Sequence, residues 1–400
     1  MAKRAVIPTG LLSRGVDQIQ VQKHLEAKLH AGHKLRIKHG VDPTTDRLHI
    51  GYGVVYWKLR EFQELGHKII FLIGDFTARF GDPTDKSDTR TMRSKADVER
   101  LAEAYLEQAG KILDLKKTEV RRNSEWYDKM SAEELLRLAS QFTMGQMLER
   151  DMFVTRSQEN RPIGLHEPLY PVLQGYDSVV LKSDATVVGT DQLFNELVAR
   201  PLQERAGQDP QDVMAMSLLI GTDGKAKMSQ SLGNDIGIAE APKDQFGKVM
   251  RIPDGLIMHY YELATLNSPA KCQAIADELA SGTLAPRDAK LALATEIVTL
   301  YHGKDAAKQT QKEFVRVFSQ GQLPAEIEEH ETTIRNHRLD ALLLELRLVS
   351  SRSEGQRLID GGAVKIDGAV IGDWRAEVAL HDGMIIQVGK RGFRKIKFGS

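Results

Sequence analysis

Apolar and polar residues change their period several times along this chain, and the changes divide it into elements. Within a lead-in of residues 1–33, the stretch from Val16 to Ala31 carries apolar residues at helical spacing. Leu35, Ile37 and Val41 then alternate with polar residues, which predicts a strand. Asp42-Pro43-Thr44-Thr45-Asp46 reads as a turn. From His49 to Leu65 the period is helical again, through Val54, Val55, Leu59 and Phe62, and it stops at Gly66. Lys68-Ile69-Ile70-Phe71-Leu72-Ile73-Gly74 is almost continuously apolar, as expected of a strand buried on both faces of a parallel sheet. Strand, helix and strand in this order make a βαβ unit.

Residues 85–165 are charged and mostly helical in pattern, clearest at Lys95–Leu115 and Ala132–Glu149. They read as an insertion between two halves of a sheet. The strand pattern returns at Ala185–Gly189, a helix follows from Leu193 to Ala206, and Val213–Ile220 is a last apolar run. Residues 235–330 are helical, punctuated by Pro253, Pro269, Pro286 and Pro324. Past Ile334 the elements shorten. Helices are expected at Arg338–Leu346 and Ser353–Ile359, the second ended by Gly361-Gly362, with strands at Val364–Ile371 and Met384–Val388. The expected division is 1–234 (with the insertion and a Lys-rich loop at 223–234), 235–333 and 334–400, an α/β chain with a small α+β tail.

Four hundred residues suit two to four domains of ordinary globular composition. A formal net charge of +0 excludes a generally basic nucleic-acid coat, so any nucleic-acid surface must be local. The tail is such a place: residues 335–400 hold twelve Lys or Arg against eight Asp or Glu. The single Cys272 excludes an internal disulfide framework and fits a reducing compartment. No apolar run is long enough for a transmembrane helix, and the N-terminal stretch lacks the apolar core of a signal peptide. A cytoplasmic protein is expected.

Chemistry concentrates in a few motifs. His49-Ile50-Gly51-Tyr52 opens a helix directly after a strand, and Lys227-Met228-Ser229-Gln230-Ser231 lies in a polar loop after another strand. A helix N-terminus offers unpaired N–H groups and a positive dipole end, a natural seat for phosphates. Alone, His49 could be a helix cap and the Lys-rich loop a solvated turn. Gly189-Thr190-Asp191-Gln192 follows a strand and opens a helix, where ligands bind in parallel sheets, although Asp191 could be a simple N-cap. Tyr170, Gln174 and Asp177 stand at i, i+4 and i+7, so a hydroxyl, an amide and a carboxylate share one helix face.

In order and setting, the first two motifs resemble the ATP-handling signatures of class I aminoacyl-tRNA synthetases. The resemblance narrows to tyrosyl-tRNA synthetases of the bacterial kind with a C-terminal S4-like module. It is carried by Gly40-Val41-Asp42-Pro43-Thr44, Ile73-Gly74-Asp75-Phe76-Thr77, Gly81-Asp82-Pro83, Pro162-Ile163-Gly164-Leu165-His166-Glu167, the Tyr170 helix, Gly189–Gln192 and the Lys227 loop. Ser353-Glu354-Gly355-Gln356-Arg357-Leu358-Ile359-Asp360-Gly361-Gly362 carries it into the tail. The resemblance implies a Rossmann-like parallel-sheet catalytic domain with a helical insertion, then a helical anticodon-region domain and the S4-like domain. It also implies L-tyrosine, ATP (as Mg-ATP) and tRNA-Tyr as partners, a homodimer, and no tightly bound protein-ligated metal.

The resemblance further assigns roles. His49, Tyr52, Lys227 and Gln230 would be catalytic. Asp82, Tyr170, Gln174, Asp177, Gln192 and Lys38 would hold tyrosine, with Asp177 accepting from the phenol. Asp42, Thr44, His49, Gly51, Gly189, Asp191, Lys227, Met228 and Ser229 would hold ATP. Arg352, Arg357, Lys365, Lys390, Arg391, Arg394 and Lys395 would face RNA. A site built to hydrogen-bond a substrate hydroxyl rejects the analogue that lacks it, and tyrosyl-tRNA synthetases are themselves the standard illustration. Three positions depart from the usual pattern. Tyr52 stands for a second His, Gln230 for a second Lys, and Lys38 for a tyrosine found in many members; Lys225 is a candidate substitute for the lost charge. Two rivals remain: a sibling that charges tryptophan, against which Asp177 argues, and an RNA-binding paralogue without catalysis, which Tyr52 and Gln230 favour.

Overall fold

The computed structural model describes residues 6–82, 94–319, 327–389 and 392–398. They form two compact units, residues 1–307 and 308–400. The helices between Pro242 and His302 thus belong to the same unit as the sheet.

The first unit is built on a six-stranded sheet: β1 (Val16–Gln20), β2 (Arg36–Val41), β3 (Lys68–Ile73), β4 (Glu119–Arg122), β5 (Ala185–Gly189) and β6 (Asp212–Met216). Their order is β1-β6-β5-β2-β3-β4, all parallel except β1. The apolar run at 68–74 is the strand it suggested, with Ile69 to Ile73 at most 2% exposed. The helix expected from His49 runs Ile50–Glu64 and buries Val54, Val55, Leu59 and Phe62.

Two strands depart from the sequence reading. The expected helix at 16–31 is β1 followed by a helix at Gln22–His30. Val16 and Ile19 are spaced like helical neighbours, yet they are half-buried residues of an edge strand whose hydrogen bonds come from β6, with a bulge between Val16 and Gln18. The second is β4, inside the segment read as a helical insertion; it extends the sheet beside β3. The expected helix at 132–149 is also divided, into Ala132–Ala139 and Met144–Leu148. Ser131 and Thr143 each start a new helix with a complete capping box. Lys95–Ala109 ends at Gly110, short of Leu115.

In the second unit, helices at Leu339–Glu345 and Arg352–Asp360 pack on a five-stranded sheet. Its core includes Leu342, Leu343, Ile359, Val364, Ile386 and Ile396. A turn at Asp367-Gly368 splits the expected strand at 364–371 into a hairpin. Glu329–Thr332, outside the expected tail, pairs in parallel with Gly392–Phe398. No helix among the described residues is long and apolar enough to cross a membrane.

Candidate active site

The order of winding reverses between the parallel neighbours β2 and β5: one half of the chain winds toward β4 and the other toward β1. In doubly wound sheets, ligands bind at the carboxyl ends of the strands at such a point. A cavity of about 650 Å³ opens there. Every residue assigned to catalysis, tyrosine or ATP on sequence grounds lines it, from Lys38 on β2 to Gln230 in the Lys-rich loop.

His49 precedes the first turn of its helix, but its side chain caps no backbone N–H. Its Nδ1 is buried without a partner. Burial, with Lys227 adding to it against Asp235, pushes the imidazole down to about 4, so it is neutral at physiological pH and can donate through one ring N–H. A Cβ at Gly51 would lie 2.8 Å from His49 Nδ1, so glycine leaves the ring its place. The ring packs 4.6 Å from that of Tyr52. The Tyr52 hydroxyl is held well above its usual range, chiefly by burial, and remains protonated. The His49 segment is tied to the stretch that follows the Lys-rich loop: Ile50 N–H donates to Ile236 O at 2.8 Å, and Ile238 N–H to Leu48 O at 2.8 Å.

Lys227 Nζ lies 2.8 Å from Asp191 Oδ2. Asp191 is therefore an ion-pair partner rather than a cap. A Cβ at Gly189 would come within 2.6 Å of Asp191 Oδ1. Asn234 braces the loop by accepting from Ser229 N–H at 2.8 Å and donating to Lys227 O at 3.2 Å. Gln230 Nε2 donates to Arg47 O at 2.6 Å. Lys225 is not among the lining residues, whereas Arg47 is, beside Gln230. Arg47 is thus a second candidate, beside Lys225, for the compensating charge; it meets Gln230 through its backbone carbonyl, and its guanidinium Nε lies 3.9 Å from Asp46 Oδ1.

Deeper in the cavity, Tyr170, Gln174 and Asp177 project from one face of the Tyr170–Leu181 helix. Tyr170 OH donates to Asp42 Oδ2 at 3.0 Å, and Thr77 Oγ1 to Asp42 Oδ1 at 2.8 Å. Burial nevertheless pushes the Asp42 carboxyl up to about 7. Asp177 is 3% exposed and accepts from Trp126 Nε1 at 3.0 Å and Asn123 Nδ2 at 3.4 Å. Its carboxyl is also pushed up to about 7, by burial, with Lys38 pulling the other way. Gln192 Nε2 donates to Asp82 Oδ2 at 2.8 Å, and Arg150 approaches Asp82 Oδ1 at 3.4 Å. Asn195 Nδ2 joins Gln174 Oε1 and Gln192 Oε1, at 2.9 and 3.0 Å.

Asn123, Trp126, Arg150, Asn195 and Arg47 carried no signal in the sequence. Arg47 lines the cavity, and the other four stand behind it, each bonded to a lining side chain distant in sequence. Among the described residues no group of three His, Cys, Asp or Glu is placed to hold a metal ion.

In the second unit, Arg352 and Arg357 share a helix and Lys365 lies on a strand. Arg394 and Lys395 are engaged by an acidic neighbour: Arg394 pairs with Glu328 at 3.1 Å and Lys395 with Glu329 at 2.9 Å. Counting the acidic strand, residues 308–400 hold fifteen Lys or Arg against thirteen Asp or Glu, so the basic excess is smaller than the tail alone suggests. Lys390 and Arg391 lie outside the described residues.

A family-wide sequence model described as tRNA synthetases class I (W and Y) matches residues 30–319, and one for the S4 domain matches 337–378. Parallel sheet, cavity and S4 domain are thus those of a class I aminoacyl-tRNA synthetase. Tyrosine--tRNA ligase of Moorella thermoacetica is 48% identical over 392 residues, covering 96% of this chain and 94% of the relative. That of Geobacter sulfurreducens is 47% identical over 394 residues, covering 97% and 98%. The tyrosyl-tRNA synthetase of Archaeoglobus fulgidus, solved with L-tyrosine, shares the fold with a TM-score of 0.62 at 22% identity, over 76% of this chain and 98% of that one. The chain belongs to the tyrosine--tRNA ligase family.

Proposed function

We propose that this enzyme activates L-tyrosine with ATP and transfers it to tRNA-Tyr. In the first step a tyrosine carboxylate oxygen attacks the α-phosphorus of Mg-ATP, the bond to the β-phosphate oxygen breaks, and pyrophosphate leaves with that electron pair. In the second, a terminal ribose hydroxyl of the tRNA attacks the carbonyl of the adenylate and AMP departs. The supporting observation is convergence: the Tyr170–Gln174–Asp177 face, neutral His49, Lys227 and Asp191 line one cavity at the switch point of the sheet.

The two ends of the cavity divide the work. Asp177 and Lys38 take the phenol end of tyrosine; Tyr170, Gln174, Asp82 and Gln192 take the amino-acid end. Asp42, Thr44, Gly51, Gly189, Met228 and Ser229 receive the nucleotide. Lys227 and Asp191, paired with each other at 2.8 Å, exchange partners when ATP enters. The ribose hydroxyls then donate to Asp191, and the ammonium turns to the phosphates. Catalysis is positioning plus charge stabilisation, with His49 N–H, Tyr52 OH, Gln230 and Lys227 donating to charge that grows on the phosphates.

The same convergence weighs against a paralogue without catalysis. The tail supplies an RNA surface through Arg352, Arg357 and Lys365, together with Lys390 and Arg391 and those parts of Arg394 and Lys395 that RNA phosphates can win from the glutamates. A homodimer and a cytoplasmic setting complete the reading. ATP-dependent charging of tRNA-Tyr with labelled tyrosine tests it: the purified protein should form tyrosyl-tRNA, and failure to charge with fresh tRNA and Mg-ATP would refute it.

A further inference from the structure

Glu196 has no part in any motif and does not line the cavity, yet its carboxylate holds two side chains that do, Lys38 and Gln174. Its Oε2 lies 2.9 Å from Lys38 Nζ, and neither side chain has any exposure. Oε1 accepts from Gln174 Nε2 at 2.8 Å, and Oε2 accepts from Gln211 Nε2 at 2.9 Å. A fully buried ion pair is seldom more stabilising than apolar packing of the same volume, and losing one partner strands the other charge. Stability alone is therefore a weak reason for this pair.

Lys38 stands between two carboxylates. It pairs with Glu196, and it is near enough to Asp177 to favour that group's charge. Around Asp177 stand Asn123, Trp126 and Tyr127 from the end of β4, with Asp42 and Tyr170 across the pocket. No ion pair joins Lys38 to Asp177 among the described residues. If Glu196 lost its charge, Asp177 would become the anion that draws the ammonium, and it would no longer be open to a phenol.

The geometry points to Glu196 as a positioning residue that sets specificity: it holds the Lys38 ammonium off Asp177, keeping that carboxylate free for the tyrosine hydroxyl, and it orients the Gln174 amide. This rests on the tyrosine-pocket reading above. The role requires charge more than shape, and two substitutions separate these. Glu196→Gln keeps the size and the acceptor oxygen but not the charge; Glu196→Asp keeps the charge but shortens the reach.

The experiment measures kcat and KM for tyrosine and phenylalanine in ATP–pyrophosphate exchange, with thermal unfolding alongside. Glu196→Gln should lower kcat/KM for tyrosine roughly 10- to 100-fold, mostly through KM, and leave phenylalanine within about twofold. Glu196→Asp should keep most of the tyrosine-to-phenylalanine ratio. A structural role would give the opposite ranking, with Gln the milder change and both substrates falling together with the unfolding midpoint. That result, an unfolded Glu196→Gln protein, or a Glu196→Gln protein of unchanged ratio would overturn the inference. Asp177→Asn, run in parallel, separates the premises. If it leaves the ratio intact, the pocket reading has failed; if it collapses the ratio and Glu196→Gln does not, only the role of Glu196 has failed.

Discussion

Replacing Asp177 by Asn removes a charge while keeping a shape. The wild-type carboxylate is enclosed and accepts from Trp126 Nε1 at 3.0 Å and Asn123 Nδ2 at 3.4 Å. The asparagine oxygen can keep the Trp126 bond; its amide nitrogen then gives up only the long 3.4 Å contact from Asn123, so the larger loss falls on the substrate side. A hydrogen bond from a phenol to a charged acceptor is worth about 1.5–3 kcal/mol. The corresponding loss in kcat/KM for tyrosine is roughly 10- to 150-fold, while phenylalanine, which has no hydroxyl to offer, should barely change. The pH dependence follows from the same carboxyl. Burial raises it to about 7 in the folded protein against the opposing pull of Lys38, so the ionised acceptor is fully present above that pH and is lost as pH falls through it. Exchange kinetics for both amino acids at about pH 8 and about pH 6, one unit either side, test both parts. The wild-type preference for tyrosine should be larger at the higher pH, and the Asp177→Asn protein should show one low preference at both. An unchanged preference at the higher pH, or a pH dependence that survives the substitution, would refute the reasoning.

Further outcomes concern the loop and the tail. Gln230→Lys should raise the pre-steady-state rate of adenylate formation with little change in tyrosine affinity, because it adds an interaction made only in the transition state. Arg47→Ala should slow the wild type more than Lys225→Ala does, since Arg47 lines the cavity and Lys225 does not; the reverse order, from rapid-quench measurements, would favour Lys225 as the compensating charge. Lys227→Ala should slow adenylate formation by about 10² to 10³, the scale of one lost charge-stabilising donor; a loss confined to ATP affinity would remove it from the transition state. Removing residues 320–400 should leave adenylate formation in place while tRNA charging falls and its salt dependence flattens. The cut must precede Glu329, because Glu329–Thr332 pairs with Gly392–Phe398; full charging by the shortened protein would refute an RNA role for the tail.

The parts of this molecule legible in its sequence are those in which a local pattern and the tertiary environment agree. Ile69–Ile73 is apolar throughout and buried on both faces. The i, i+4, i+7 spacing of Tyr170, Gln174 and Asp177 carried directly into a shared face, because a helix fixes side-chain direction from spacing alone. Local pattern misled where a strand depended on a distant partner. β1 has two apolar residues at helical spacing and owes its conformation to β6, some two hundred residues away. The surroundings of Asp177 were invisible for the same reason. Trp126 and Asn123 lie about fifty residues upstream, and nothing in their own stretch marks them as partners of a buried carboxylate. Glu196 reads as one more polar residue of an amphipathic helix until the fold seals it against Lys38.

The central claim is that this cavity activates tyrosine and discriminates by its hydroxyl. ATP–pyrophosphate exchange measured with each of the twenty amino acids in turn addresses it most directly. The account predicts exchange with tyrosine and only background with phenylalanine and tryptophan. Exchange of equal strength with either of those, or none with any amino acid, would contradict it.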